Sequence, residues 1–150
     1  MATTIRQNIL TAYNNRLDTI LTTGGYNTNL GQQIHYDLAT PLNESQTPAL
    51  KYKVKSDPPD YRYGAEIHRL LIENEISAVG SDADNIVESC IGDFMAALAA
   101  DGTLGGICQD ISNFDTGEAI IDHQGTFSVQ VPVTVEIWYA TKINDPYTAV

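Results

Sequence analysis

Cysteine, basic side chains and long apolar runs are all scarce in this 150-residue chain, and each scarcity removes a class of function. There are two cysteines, Cys90 and Cys108, with no CxxC pair and no cysteine–histidine cluster, so neither a disulfide framework nor a zinc-type site is expected. That usage fits a reducing compartment. No segment approaches the roughly 18 consecutive apolar residues that a membrane span requires. The opening stretch MATTIRQNILTAYNN lacks the basic stretch and apolar run of a secretory leader, so a soluble, intracellular protein is expected. Eight Lys and Arg stand against 19 Asp and Glu, a formal charge of −11. Such a field repels phosphate backbones and anionic lipid, which disfavours specific DNA binding. The acids are spread without a run. They read as a solubilising surface, or as a surface past which nucleic acid moves without sticking.

Reaction chemistry is equally thin. The three histidines, His35, His68 and His123, fall on two predicted strands and a turn, none paired with another at ligand spacing, and are expected to face solvent. There is no GxSxG, no SxxK and no locally activated cysteine. Cys90 lies on the apolar stripe of a helix, where burial raises a thiol pKa. The acid pairs Asp57/Asp60 and Glu73/Glu75 lack the desolvated cleft that acid–base work needs. The glycines of GTLGG follow a helix and precede a strand. A phosphate cradle needs the opposite order, with amides at a helix N-terminus. Gly102, Gly105 and Gly106 therefore read as a structural turn, and no enzyme, metal or cofactor is expected.

What the chain does contain is clear patterning. Ile5, Ile9, Leu10, Tyr13, Leu17, Ile20 and Leu21 recur at helical spacing over residues 4–22, with Thr4 and Gln7 placed for a capping box and Gly24-Gly25 as terminator. Residues 33–38 alternate as a strand, with Ile34, Tyr36 and Leu38 on one side. Residues 39–63 hold Pro41, Pro48, Pro58 and Pro59 and form a long connection, within which LKYKVK alternates as a further candidate strand. Its Tyr52, Tyr61, Arg62 and Tyr63 are residue types enriched at interfaces, which favours a partner-binding arm over a mobile excursion. Residues 64–78 predict a long strand with apolar positions on both parities, hence cover on both faces.

A second helix is predicted from an N-cap at Ser81, with Ile86, Val87, Cys90, Ile91, Phe94, Met95 and Leu98 as its stripe and Asp101-Gly102 as its end. A hairpin follows over residues 107–122, breaking at Asp115-Thr116-Gly117 and turning at Gln124-Gly125. It returns with Phe127, Val129, Val131, Val133, Val135, Ile137 and Tyr139 on one face. Pro132 lacks the ladder N–H, so this strand is expected to be an edge or bulged. Residues 142–150 show no period and are expected to be a flexible tail, with Tyr147 available to a neighbour. The order predicts a single α+β domain over 1–150, a mainly antiparallel sheet with two helices packed on one face.

FMAALAADGTLGGICQDI resembles the corresponding helix–turn–strand of tailed-bacteriophage tail terminator proteins, also called tail completion or minor tail proteins. VTVEIWYATKINDPY is similar to their last strand, and HRLLIENEI before an acidic helix start fits as well. The order of elements matches over nearly the whole chain, while the 39–63 connection departs from the shorter members. The resemblance implies a virion structural protein at the tail–neck junction, assembled in the host bacterial cytoplasm. It implies a homo-oligomeric ring of six copies that caps the tail tube, stops its polymerisation and docks the head or neck connector proteins. DNA would pass through its channel without specific binding. Ring closure needs a heterologous interface, for which Tyr52, Tyr61, Arg62, Tyr63, Pro132 and Tyr147 are the candidates. The alternatives are a head–tail connector or neck adaptor, and a small cytosolic ligand-binding domain or enzyme.

Overall fold

A computed structural model describes residues 2–37, 44–122 and 127–150, with the backbone alone at 44 and 113. Leu38, Pro41, His123 and the expected turn at Gln124-Gly125 lie outside the described residues. Helix α1 spans Ile5–Asp18 and opens on the expected capping box. The Gln7 amide donates to Thr4 Oγ1 at 3.0 Å and the Thr4 amide donates to Gln7 Oε1 at 2.7 Å, so two end donors are satisfied reciprocally. Ile9, Tyr13 and Leu17 form its buried face.

The helix stops at Asp18 rather than running to residue 22. The Thr19 hydroxyl donates to Arg16 O at 2.6 Å, competing for a carbonyl the next turn would use. Gly31 then folds back over this end and donates its amide to Ile20 O at 2.8 Å. The glycine pair acts later, Gly25 closing a short 3₁₀ turn at φ 92°.

Helix α2 spans Ala83–Ala100 and buries Val87, Cys90, Ile91, Phe94, Ala97 and Leu98. Its N-cap is Asp82, not Ser81, and no side chain caps it. Asp82 Oδ1 instead accepts from Asn85 Nδ2 at 2.8 Å. The two helices are tied by Arg16, whose Nε donates to Ala97 O at 2.7 Å.

The eight strands form one mixed, mostly antiparallel sheet, giving the expected α+β fold. β1 (Ile34–Tyr36) runs parallel to β2 (Ala49–Ser56), which lies antiparallel to β4 (Ala65–Val79). β4 and β7 (Ser128–Lys142) are each 15 residues long and pair in unbroken register from Ala65↔Lys142 to Val79↔Ser128. The short strand β3 (Pro59–Arg62) continues the β2 side of β4. β6 (Ile120–Asp122), β5 (Asp110–Thr116) and β8 (Asp145–Ala149) follow one another along the other side of β7.

Two expectations are corrected here and one is extended. Within residues 39–63 the strand expected at LKYKVK forms as β2, and β3 adds a second one. Prolines 58 and 59 sit at the junction between these strands, on the sheet's margin, where a missing N–H breaks no interior ladder. The tail is not loose: Asn144 takes φ 59° and turns the chain so that Asp145–Ala149 pairs back on β7. And β7 is interior, not an edge. Gly117 donates to Pro132 O at 2.8 Å, so the missing Pro132 N–H faces the break between β5 and β6. The irregularity expected in Pro132's own strand is carried by its neighbour.

The core lies between the helices and one sheet face, where Leu50, Leu70, Ile72, Ile76, Val133, Val135 and Ile137 are fully buried. The opposite face carries Lys51, Lys53, Ile67, Arg69, Leu71, Glu73, Glu75, Thr134 and Trp138 by register. Among the described residues no helix covers it. The apolar positions on the second parity of β4 therefore face away from the helices, and among the described residues no helix supplies the cover expected for them.

Candidate assembly surface

The β3–β4 hairpin turns through Tyr63 and Gly64 at φ 53° and 76°, both left-handed, the pattern of a two-residue turn matched to strand twist. Glycine adopts this freely, whereas tyrosine there is strained. Tyr63 is 99% exposed and Tyr61 is 62% exposed, so the strained turn holds an aromatic ring almost wholly in solvent. Because Ala65 pairs with Lys142, the β7–β8 turn lies alongside, bringing the exposed Ile143 and Tyr147 to the same end of the sheet. The Asn144 amide donates to Glu66 Oε1 at 3.0 Å and couples the two turns.

Behind this tip lies a polar cluster on the helix side of the sheet. His68 Nδ1 is 3.2 Å from Asp57 Oδ1, and its Nε2 is 3.4 Å from both Thr141 Oγ1 and Glu66 Oε2. The ring stacks on Tyr139 at 4.5 Å, and the Tyr139 hydroxyl donates to Asp57 Oδ2 at 2.6 Å. Arg6 Nη1 approaches the same carboxylate at 3.6 Å.

A hydroxyl, an imidazole and a carboxylate in line have the form of a nucleophile relay. Thr141, however, is only 2% exposed, and its hydroxyl is engaged inside the cluster by His68. Burial and the bond to Asp57 raise the Tyr139 pKa far above its ordinary value, so it remains a proton donor to that carboxylate. The cluster thus pins the β2–β3 turn, β4, β7 and the start of α1 together. His68, expected to face solvent, has a side chain only 14% exposed. His35 is half-buried and bonds Gln33 Oε1 at 2.9 Å.

The other chemical candidates also resolve into structure. Cys90 and Cys108 are buried free thiols whose pKa burial raises to about 11. Glu73 and Glu75 stand across from Lys53 and Lys51, and Asp60 binds Arg62 Nε at 2.6 Å. The GTLGG turn holds Leu104, Gly105 and Gly106 at positive φ. Its amides point inward: Gly105 donates to Asp101 Oδ1 at 3.1 Å and Gly106 to Thr103 O at 3.0 Å. Gly102 opens this turn with ordinary backbone. Among the described residues no group of three His, Cys, Asp or Glu is placed to hold a metal ion.

Of the interface candidates, Tyr61, Arg62 and Tyr63 lie at the hairpin tip, and Tyr147 lies at the same end of the sheet on the far side of β7. Tyr52 does not join them. It is 5% exposed, packs edge-on against Tyr13 and Tyr36, and donates to Asn14 Oδ1 at 3.0 Å. Pro132 is half-buried in mid-sheet, far from the tip.

The apolar second parity of 64–78 is legible in the sequence, but the cross-strand pair it brings together on the open face is not. There Arg69 and Trp138 are cross-strand partners, with the guanidinium carbon 5.8 Å from the ring centroid and Nε 3.4 Å from Glu136 Oε1. The signal was present in EIHRLLIENE, whose outward parity holds Ile67 and Leu71 beside charged residues. A scan of the chain against protein-family models and a search of curated proteins found no match.

Proposed function

We propose that this chain is a structural assembly protein, the tail terminator of a tailed phage. Copies close into a ring of six, cap the tail tube, stop its growth and present a docking surface to the head or neck. The observation that carries this reading is a sheet face on which no helix packs among the described residues, with half-buried Ile67, Leu71 and Trp138, running into a tip with a 99% exposed tyrosine. Exposed aromatics held by a well-paired hairpin are costly for a solitary domain and useful for an assembling one.

The helix–turn–strand resemblance names the class of assembly, and the match of element order supports it. The acidic charge gains a role in this reading, since an acidic channel wall lets DNA slide past without sticking. Purified tail tubes incubated with the protein and viewed by electron microscopy test it. The expected result is added density at one tube end and arrested elongation. Bare ends with unchanged tube growth overturn it. Density only on the isolated neck or head vertex would instead identify a connector adaptor.

A further inference from the structure

Two patches at opposite corners of the sheet carry opposite charged groups beside apolar surface. The first is a groove of about 310 Å³ on the open face, lined by Pro58, Pro59, Ile67 and Trp138 with two arginines, Arg62 and Arg69, and one acid, Asp60. Its apolar floor carries two guanidiniums that are about half to two-thirds exposed, Arg62 at 65% and Arg69 at 50%. Each is paired through Nε, Arg62 with Asp60 at 2.6 Å and Arg69 with Glu136 at 3.4 Å, and a guanidinium fork carries further N–H donors on its two outer nitrogens.

The second patch is the segment around β6, DTGEAIID, residues 115–122, every one exposed. Ile120 and Ile121 point to opposite faces of a strand and are 62% and 53% exposed. A short edge strand with isoleucine bare on both faces and acids flanking it suits an apolar slot that carries two part-exposed guanidiniums against one exposed carboxylate, Asp60.

The two patches cannot meet within one chain. The groove lies beside residues 65–69 of β4, whereas β6 lies beside residues 128–130 of β7, which pair with 77–79 of β4. That offset is roughly 30–35 Å along the strands. Neither patch is self-complementary, so joining them between copies is heterologous and head-to-tail, the geometry that closes rings.

We infer that the segment 115–122 of one copy seats in the Arg62/Arg69/Trp138 groove of the next, and that this contact is the repeating interface. The inference rests on the ring reading above and names its surfaces. A chain of charge −11 resists self-association, and this pairing sets scarce cations against acids where copies touch.

Charge reversal on each side tests it. Arg62→Glu spoils the groove and Glu118→Arg spoils the strand, both at exposed positions where monomer stability should hardly change. Sedimentation velocity, with and without tail tubes, should show each variant associating at least about 30-fold more weakly than wild type, with unchanged thermal melts. An equimolar mixture of the two should recover assembly, because every junction in an alternating ring is again complementary. Ile120→Asp, which reverses no charge on the groove side, should weaken assembly and gain nothing from mixing. Variants that assemble like wild type, or a mixture that fails to recover, overturn this interface and leave the ring reading standing. Wild type that stays monomeric even on tubes overturns both.

Discussion

At the scale of single residues, the informative side chains are polar groups placed where an apolar one is expected. Asp93 sits on the buried stripe of α2 at 3% exposure. Its Oδ2 accepts from the Thr28 amide and hydroxyl, both at 2.7 Å, and its Oδ1 from the Asn27 amide at 3.2 Å. It anchors the loop after α1 to the second helix. Asp93→Ala leaves those amides without a partner and should cost about 2–3 kcal/mol, read as a lower urea midpoint with unchanged m-value. A midpoint equal to wild type would remove Asp93 from this role. Asn74 is the counterpart in the sheet, fully buried and accepting from the Tyr13 hydroxyl at 2.5 Å while donating to Val133 O at 3.0 Å.

The thiols make a second prediction at this scale. Burial raises both from an ordinary 9.0 to about 11, so at pH 8 the native thiolate fraction is about 100-fold below that of the unfolded chain. Alkylation at pH 8 should be slower by at least that factor until denaturant is added, and equal rates would contradict it. The sign for stability follows from proton count. The unfolded thiols lose protons first, so the stability present below pH 9 declines as pH rises from 9 towards 11.

At the scale of elements, helices were legible because their apolar stripe and capping box are local signals. Their ends were less so, since the stop that Thr19 begins on α1 is completed by Gly31, thirteen residues beyond Asp18 in sequence. A Cβ on Gly31 would lie 2.5 Å from Asp18 O and 2.9 Å from Ile20 O. Gly31→Ala must push back a helix end and should cost about 1–3 kcal/mol, visible as a lower melting temperature, whereas Gly25→Ala meets no atom and pays only for its positive φ. An unchanged melting temperature for Gly31→Ala would refute this account of the helix end. LKYKVK was legible as β2 from its alternation, whereas β3 and β8 were hidden for a related reason. β8 has no period of its own and exists because β7 offers it a free side, and β3 is signalled by nothing stronger than the Tyr-Gly turn that follows it. Pro132 misled because the rule concerns the direction of one missing N–H, and only the register shows that it faces a break.

At the scale of the molecule, the two-helix, one-sheet arrangement follows from counting stripes and faces, and so was legible from the chain. The candidate surface was legible in part. Tyr61, Arg62, Tyr63 and Tyr147 are interface types wherever they fall, but Tyr52 has the same composition signal and is core, because its parity on β2 points it at Tyr13. The Arg69–Trp138 pair joins residues on two strands and becomes visible only when Leu70↔Ile137 sets the register. The uncovered face and the exposed tip are together what a ring protomer would bury against its neighbours.

The mass of the particle is the most direct test of that claim. Light scattering on the purified protein, alone and with tail tubes, should give a closed species of six 16.4 kDa chains, free or seated on the tube end. A strict 16.4 kDa monomer under both conditions would contradict the account.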